Sequence, residues 1–204
     1  MVNIFDPIID RQKGALKAAS WYRNAVSTIS GRAGARTLMR SGKLNARPSA
    51  GRLNFYFYDP KGKKTLPYYD IFPLVIPIKP YNGGRGVLGM NFHYLPYRLR
   101  ENLMKKLIGY LNEEELEAYL DVSYNDIKGF TRYKEAKPTL HKYDLTGSYV
   151  RSQFIHIEPN EWTTALHLPV EEFRSRGGGM GVTKAEVWGD SKEIIEQHST
   201  KNGD

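Results

Sequence analysis

The chain has 204 residues, of which 40% are hydrophobic, and a formal net charge of +8 at pH 7. This length supports one folded domain with extensions around a hydrophobic core. The absence of cysteine from the sequence excludes disulfide bonds, thiolate nucleophiles and cysteine-ligated metal sites. The apolar runs are shorter than the ~18 residues of a membrane span, and the N-terminal residues lack a signal-peptide pattern. We therefore expect a protein that is made in the cytoplasm and has no membrane partner.

The positive charge is concentrated in the N-terminal third of the chain. Residues 1–65 contain 13 lysines and arginines against three acidic residues, whereas residues 66–204 contain 17 against 19. The first part therefore carries a net charge of +10 and the second part −2. This asymmetry indicates a polyanion or an acidic protein surface as the partner.

Residues 6–29 are predicted to form an amphipathic helix. Apolar side chains recur near helical spacing, and Asp6 followed by Pro7 resembles a helix N-cap with proline at the first helical position. We interpret this element as a surface helix that packs on the core or on a neighbour, in preference to a direct reader of nucleic acid.

Residues 30–52 are predicted to form a basic arm. The segment is rich in glycine and weakly periodic, so it cannot bury enough apolar area to offset the entropy cost of ordering it. Arms of this kind neutralise DNA phosphates and release counterions. The candidate phosphate contacts in the arm are Arg32, Arg36, Arg40, Lys43, Arg47 and Arg52. A solvated linker, or an arm held against neighbouring protein subunits, is the alternative.

Residues 53–60 alternate in polarity as a strand does, and a turn follows at residues 59–62. Tyr56 and Tyr58 fall on one face of this strand, and with the lysines of the turn they resemble the surface of a single-strand binder. Packing of both tyrosines against the rest of the fold is the other interpretation. The candidate contacts in the turn are Lys61, Lys63 and Lys64.

Residues 66–95 are predicted to form a β-hairpin at the centre of the fold. Two apolar runs flank a cluster of asparagine, glycine and arginine that adopts positive φ at little cost. Pro73, Pro77 and Pro80 cannot donate ladder hydrogen bonds, which predicts that the first run lies at a sheet edge or is broken into short pieces. Gly89 indicates a bulge or a close backbone approach.

The next element, residues 96–111, is predicted to be a helix that begins at a proline and turns an apolar stripe toward the core. Its other face supplies a second basic patch of candidate contacts: Arg98, Arg100, Lys105 and Lys106. An acidic helix from residue 113, a short helix at 123–135 and a loop at 137–143 are predicted to follow.

The C-terminal part is predicted to contain a strand at residues 150–157, a helix that begins at residue 158 and a flexible glycine-rich tail. The tail could include a short peripheral helix or a docking peptide. The chain would then divide into a basic helix and arm at 1–52, a core domain at 53–173 and a tail at 174–204.

These elements predict an α+β fold. We expect a small, twisted, mostly antiparallel sheet or partial barrel with helices on one side and an extended basic N-terminal arm. The strands predicted for this sheet are residues 53–58, 73–78, 87–94 and 150–157.

A metal-dependent nuclease would need converging carboxylates and a general base. The sequence offers only scattered pieces: Asp70, His93, His156 with Glu158, and Glu161 with His167. We interpret them as satisfied polar groups or surface histidines. The chain has no nucleophile elbow, and its glycine runs lack the residues that complete a phosphate-binding loop. We predict that the protein is not an enzyme and has no cofactor or metal site.

The hairpin region resembles one known family. The pattern Leu-Pro-Tyr-Tyr-Asp from Leu66, Phe-Pro-Leu-Val-Ile-Pro from Phe72, a glycine-rich turn and Leu-Gly-Met-Asn-Phe-His-Tyr-Leu from Leu88 is similar to the DNA end-protector proteins of contractile-tailed bacteriophages (myoviruses). The similarity extends from residues 54–60 into the basic helix, and more loosely to residues 158–162. The resemblance implies a virion component that contacts double-stranded DNA through phosphates, without sequence preference, and protects the ends of packaged DNA.

A purely structural subunit of the phage neck, tail or baseplate is the alternative hypothesis. Leu38, Met39 and Leu44 are apolar anchors that a DNA-binding arm does not require, and Trp188 lies in a segment that could dock on a neighbour. Both hypotheses predict a location in the virion, other virion proteins as partners and a multi-subunit assembly.

Overall fold

The computed structural model describes residues 5, 8, 11, 19–29, 34–41, 43–48, 51–108 and 132–200. The α-helices of this part are α1 (Ala19–Ile29), α2 (Ala35–Ser41), α3 (Tyr97–Ile108), α4 (Trp162–His167) and α5 (Lys184–Thr200). The strands are β1 (Lys43–Asn45), β2 (Leu53–Phe55), β3 (Tyr68–Asp70), β4 (Leu74–Tyr81), β5 (Gly86–Asn91), β6 (Leu140–Asp144), β7 (Phe154–Ile157) and β8 (Phe173–Ser175). Short 3₁₀ helices lie at Phe92–Tyr94, Lys134–Thr139, Pro159–Glu161 and Arg176–Gly178.

Six of the described strands form one antiparallel sheet in the order β1-β7-β2-β4-β5-β6. The other two strands, β3 and β8, pair with each other in a small separate sheet. Within the described residues β1 and β6 remain the edges of the large sheet, so it does not close into a barrel. The predicted α+β fold with an antiparallel sheet is confirmed.

The central hairpin forms as the sequence predicts. β4 and β5 pair from Val75 with Asn91 to Tyr81 with Gly86. The turn between them has positive φ at three successive residues: Asn82 at 52°, Gly83 at 63° and Gly84 at 81°. Asparagine and glycine adopt this conformation with the least steric cost, which explains why the turn forms at this point of the chain.

A change of register accommodates the prolines of β4. The first two residues of this strand, Leu74 and Val75, pair with β2, so β4 is an inner strand there and not the predicted edge. Pro77 and Pro80 lie beyond the residues that β2 pairs, and the register against β5 shifts between Pro77 and Lys79. From Pro77 onward, β5 is the only strand in the described part of the chain that pairs with β4. The N–H groups that the prolines lack are therefore not needed for hydrogen bonds to a second neighbouring strand.

Gly89 lies at a close approach between strands, as predicted. A Cβ atom at this position would lie 2.4 Å from Cγ1 of Val75 and 3.4 Å from the carbonyl oxygen of Ile76. A larger residue would therefore push β4 and β5 apart or displace Val75. The irregularity that we expected at Gly89 occurs in the opposing strand, between Pro77 and Lys79.

The two faces of the large sheet have different partners. One face carries alternating apolar residues of β2, β4, β5 and β7, which form the main core with helices α1 to α4. The opposite face carries a second cluster, which we call the tyrosine face. It consists of Tyr56, Tyr58, Val75, Tyr143 and Phe154. Among the described residues the helices that pack on the large sheet thus do so on one side, as predicted.

The N-terminal segment is more ordered than the predicted arm. Helix α2 buries Leu38, which is 1% exposed, in the main core. Strand β1 then joins the sheet by pairing Lys43 with His156 and Asn45 with Phe154. The apolar area of α2 and the ladder of β1 supply contacts that composition alone does not predict. Other parts of the predicted arm, including residues 30–33, lie outside the described residues.

The C-terminal segment also differs from the predicted flexible tail. Strand β8 pairs with β3, and the 17-residue helix α5 follows. Val187 and Ser191 of this helix are buried, and the indole N–H of Trp188 donates to the carbonyl oxygen of His93 at 2.8 Å. The segment is therefore attached to the core, while the division of the chain into three domains stays a prediction.

Two predictions concern the region between α3 and β7. The predicted loop at residues 137–143 is wrong, because the 3₁₀ helix is followed directly by β6, whose Leu140 pairs with Met90. The predicted acidic helix from residue 113 and most of the predicted helix at 123–135 lie outside the described residues. None of the described helices is long and apolar enough to cross a membrane.

Candidate nucleic-acid interface

Most of the predicted DNA contacts are available at the surface. Eight of the candidate cations are at least partly exposed and form no ion pair within the part of the chain that the structure describes. These residues are Arg36, Arg40, Arg47, Arg52, Lys61, Lys64, Arg98 and Lys105. Each can reach a phosphate without first breaking an ion pair.

Three other candidates are paired with carboxylates. Lys63 Nζ lies 2.9 Å from an Asp59 oxygen, Lys106 Nζ lies 2.8 Å from Glu135, and Lys43 Nζ lies 3.0 Å from Glu158. The hydrogen bond from Lys63 contributes most to holding the pKa of Asp59 below its ordinary value. A phosphate would have to compete with these partners, so these lysines are weaker candidates than the eight unpaired cations.

Arg100 does not belong to the exposed basic patch that the sequence predicts. Its side chain is fully buried. It donates from Nε to the carbonyl oxygen of Leu95 at 2.6 Å and from Nη1 to that of Leu166 at 3.1 Å. Nη2 donates to the carbonyl oxygen of His93 and forms an ion pair with Glu171. From this position Arg100 cannot contact DNA. Arg32 lies outside the described residues.

The exposed arginines of the predicted arm lie on α2 and after β1. Arg36 and Arg40 are one turn apart on α2, opposite the buried Leu38. The chain then continues through the edge strand β1 to Arg47. The described part of the predicted arm thus presents exposed cations from a short helix and from the segment that follows an edge strand.

The structure adds one cation that the sequence analysis did not select. Arg85 lies in the turn between β4 and β5, is exposed, and lines the same groove as Arg47. Lys61 lies close to this group, because the positive charges of Lys61 and Arg85 both act on the carboxylate of Asp144. The position of Arg85 at the tip of a predicted hairpin was the signal that could have identified it.

Tyr56 and Tyr58 are not available for stacking on bases. Tyr56 is 1% exposed and Tyr58 is 6% exposed, and both pack in the tyrosine face. The hydroxyl of Tyr58 accepts a hydrogen bond from the backbone N–H of Asp144 at 2.9 Å, and burial raises its pKa to about 12. The interpretation that both tyrosines pack inside the fold is confirmed.

Three of the scattered nuclease-like residues, Asp70, His93 and His167, lie in buried pairs, whereas His156 and Glu158 are half-buried and Glu158 pairs with Lys43. Asp70 Oδ2 lies 2.8 Å from His93 Nδ1 and accepts from Asn91 at 3.1 Å. His167 Nε2 lies 2.8 Å from Glu101, which replaces the expected partner Glu161. Asp70, His93, Glu101 and His167 are all buried. The described residues contain no group of three or more potential metal ligands.

His141 provides a pH-dependent contribution to stability. Its Nε2 lies 3.0 Å from the carbonyl oxygen of Pro138, and its ring packs on Tyr94 with centroids 3.9 Å apart. Burial lowers the pKa of His141 to about 4. Between pH 6.5 and 4 the unfolded chain therefore binds more protons at this residue, so the free energy of unfolding should fall as the pH is lowered.

We expect the variant His141→Gln to lose part of this acid sensitivity. The measurement is urea unfolding of both proteins at pH 7 and pH 4.5, with the histidine ring titrated by NMR in the wild type. A ring that titrates near pH 6.5, or equal acid sensitivity in the two proteins, would contradict the prediction.

Comparison with known proteins identifies the family. A family model described as the phage T4 terminal DNA protecting protein matches residues 10–191 of the chain. The chain belongs to this family. The match includes the hairpin, the exposed Arg36, Arg40 and Arg47, and the first eight residues of α5, and it confirms the resemblance predicted from the hairpin region. Searches of curated proteins and of solved structures found no match.

The terminal DNA protecting family supplies the biological context of the basic surface. Its description names a bacteriophage origin, DNA as the molecule concerned and protection of DNA termini as the role. The description refers to protection and not to catalysis. The exposed, unpaired cations are consistent in sign with such a partner.

Proposed function

We propose that this protein is a virion component that binds the ends of linear double-stranded phage DNA, without sequence preference, and shields those ends from exonucleases. The observation that carries the proposal is the set of exposed arginines, Arg36 and Arg40 on α2 and Arg47 after the edge strand β1, which form no ion pair among the described residues, in a chain of the terminal DNA protecting family. Long flexible cations that lie on the surface contact phosphates, which carry no sequence information.

The structure supports phosphate contact more than base recognition. The tyrosines that resembled a stacking platform are buried. Helix α2, which carries the exposed Arg36 and Arg40, has only seven residues and is attached to the core through Leu38. The tyrosines therefore cannot stack on bases, and α2 is too short to lie along a DNA groove and read base edges. Binding should therefore depend on charge and on the presence of an end.

The test is a salt titration of binding to a blunt-ended linear duplex and to covalently closed circular DNA of the same sequence. We expect tighter binding to the linear form and a linear fall of log K with log salt, with a slope of about −0.9 for each phosphate contact. Equal affinity for linear and circular DNA would contradict end recognition. Protection of the linear duplex from a purified exonuclease is the functional readout.

A triple variant identifies the arginines responsible. Arg36→Ala with Arg40→Ala and Arg47→Ala should make the salt slope shallower by about 0.9 for each phosphate that the variant no longer neutralises. The matched control replaces three exposed lysines outside the candidate set, Lys134, Lys142 and Lys192, so that net charge changes equally. An equal loss of affinity in both variants would show a general charge effect and not a specific surface.

A structural subunit of the neck, tail or baseplate remains the second candidate. One observation favours it, because Leu44 is 43% exposed on the edge strand β1. The other proposed anchors are used within the chain, since Leu38 is buried, Met39 packs against the core and Trp188 bonds to His93. This candidate predicts no DNA binding at low salt and an N-terminal segment that is protected from protease only in assembled particles.

A further inference from the structure

A groove lies at the end of the large sheet where the β4–β5 turn meets the segment after β1. Its volume is about 490 Å³. Arg47 and Pro48 line it from one segment, Pro80 and Arg85 line it from the hairpin, and Thr146 lines it from the loop after β6. The groove thus combines parts of the chain that are more than 100 residues apart in sequence, from Ala46 to Phe154.

The charge of this groove favours an anion. Arg47 and Arg85 are exposed, and neither forms an ion pair among the described residues. The nearby carboxylate is that of Asp144, whose Oδ1 accepts hydrogen bonds from the N–H of Thr146 at 2.9 Å and from its hydroxyl at 2.6 Å. Those bonds hold the pKa of Asp144 below its ordinary value, and Lys61 and Arg85 also lower it. The two guanidinium groups remain available to a ligand.

The size of the groove selects among anions. A volume of about 490 Å³ lies within the range of roughly 300–1,000 Å³ for small-molecule pockets, and a DNA duplex cannot enter it. A single nucleotide at the end of a strand can. Guanidinium groups bind phosphate oxygens in pairs of hydrogen bonds, and Pro48 and Pro80 offer apolar surface to a sugar or base.

We propose that this groove binds the terminal nucleotide of a DNA strand and that Arg47 and Arg85 hold its terminal phosphate. This inference rests on the proposed binding of DNA ends and names the site that would recognise them. A terminal phosphate monoester carries a charge of about −1.5 to −2 at pH 7, whereas each internal phosphodiester carries about −1. Two arginines that meet at one groove therefore distinguish a phosphorylated end from the continuous backbone.

The experiment compares duplexes of one sequence whose ends carry a 5′-phosphate, a 3′-phosphate or only hydroxyl groups. Binding is measured by fluorescence anisotropy at constant salt for the wild type and for Arg85→Gln. We expect the wild type to prefer one phosphorylated end by roughly tenfold, the size of one charge-assisted hydrogen bond. Which end is preferred identifies the source of the phosphate.

Two further variants separate the groove from general charge. Ala46→Trp fills the groove from an exposed lining position without changing the charge, and Arg132→Gln removes one exposed arginine outside the candidate set. We expect Arg85→Gln and Ala46→Trp to lose the preference for the phosphorylated end, and Arg132→Gln to keep it. Circular dichroism checks that each variant is folded.

The outcomes distinguish this inference from the proposed function. If the wild type prefers linear over circular DNA but binds phosphorylated and hydroxyl ends equally, the assignment of the groove is wrong and the proposed end binding stands. The assignment of the groove is also wrong if Ala46→Trp and Arg85→Gln keep the preference for the phosphorylated end. If the wild type does not prefer linear DNA, both the proposed end binding and the assignment of the groove are wrong.

Discussion

Replacing Arg100 with methionine is expected to lower the free energy of unfolding by roughly 3–5 kcal/mol, the range for removing one partner of a buried ion pair. The side chains of Arg100 and Glu171 are 0% and 1% exposed. Methionine would fill much of the space but would remove the Arg100 donors from the Glu171 carboxylate and from the carbonyl oxygens of Leu95 and Leu166. The carbonyl oxygen of His93 would keep the hydrogen bond from Trp188. Urea unfolding at pH 7 measures the loss.

The pH dependence of this loss tests its cause. Burial raises the pKa of Glu171, but the charge of Arg100, with smaller contributions from His93 and Lys184, outweighs this and leaves the pKa below its ordinary value of 4.5. The stabilisation is therefore present above pH 4.5 and is lost as the pH falls further. The difference between wild type and Arg100→Met should shrink in acid. Arg98→Met, on the exposed face of the same helix, should change stability by about 0.5 kcal/mol or less.

Replacing Asp70 with alanine is expected to cost roughly 3 kcal/mol or more. The Asp70 carboxylate accepts from the backbone N–H of Phe72 at 3.0 Å, from the amide of Asn91 at 3.1 Å, and lies 2.8 Å from His93 Nδ1. Each buried donor left without an acceptor costs about 1–3 kcal/mol. The measurement is the urea midpoint at pH 7 relative to wild type.

Asp59 provides the matched control for this substitution. It also contacts two cations, Lys63 and Arg151, but its side chain is 26% exposed and both partners lie at the surface. Surface ion pairs contribute about 0–1 kcal/mol, so Asp59→Ala should be close to wild type. If Asp70→Ala were equally mild, the buried hydrogen bonds around Asp70 would not stabilise the fold as we infer.

Sequence patterns predicted the hairpin and α3 closely because their signals are local. The predicted strand at 87–94 corresponds to β5 (Gly86–Asn91), and the predicted helix at 96–111 corresponds to α3 (Tyr97–Ile108) as far as the described residues extend. Strands β1, β3 and β8 have only three residues each. Their partner strands are distant in sequence, so no local pattern marks them.

The candidate interface was predictable in composition but not in geometry. The run of basic residues is evident in the sequence. The structure was needed to show that Arg100, Tyr56 and Tyr58 are buried and therefore cannot contact DNA. One signal was overlooked. Arg100 precedes Met104 by one helical turn and Leu107 by two, so helical spacing places it on the same inward face as these buried residues. The meeting of Arg47 with Arg85 depends on the course of the chain across the sheet.

The position of β7 between β1 and β2 has a consequence for the order of folding. Lys43 of β1 pairs with His156 and Leu53 of β2 pairs with Ile157. Neither strand can pair with β7 until the ribosome has synthesised more than 100 further residues. At a synthesis rate of about 5–20 residues per second this delay is roughly 5–20 s. Strand β2 can pair with β4 in the meantime.

Strand β1 has no such earlier neighbour among the described strands, because β7 is the one strand that pairs with it. It therefore joins the sheet last. A three-residue strand held by one partner is also the part of a sheet that opens most easily by local unfolding. We therefore expect the amide hydrogens of β1 to exchange with solvent faster than those of the central hairpin.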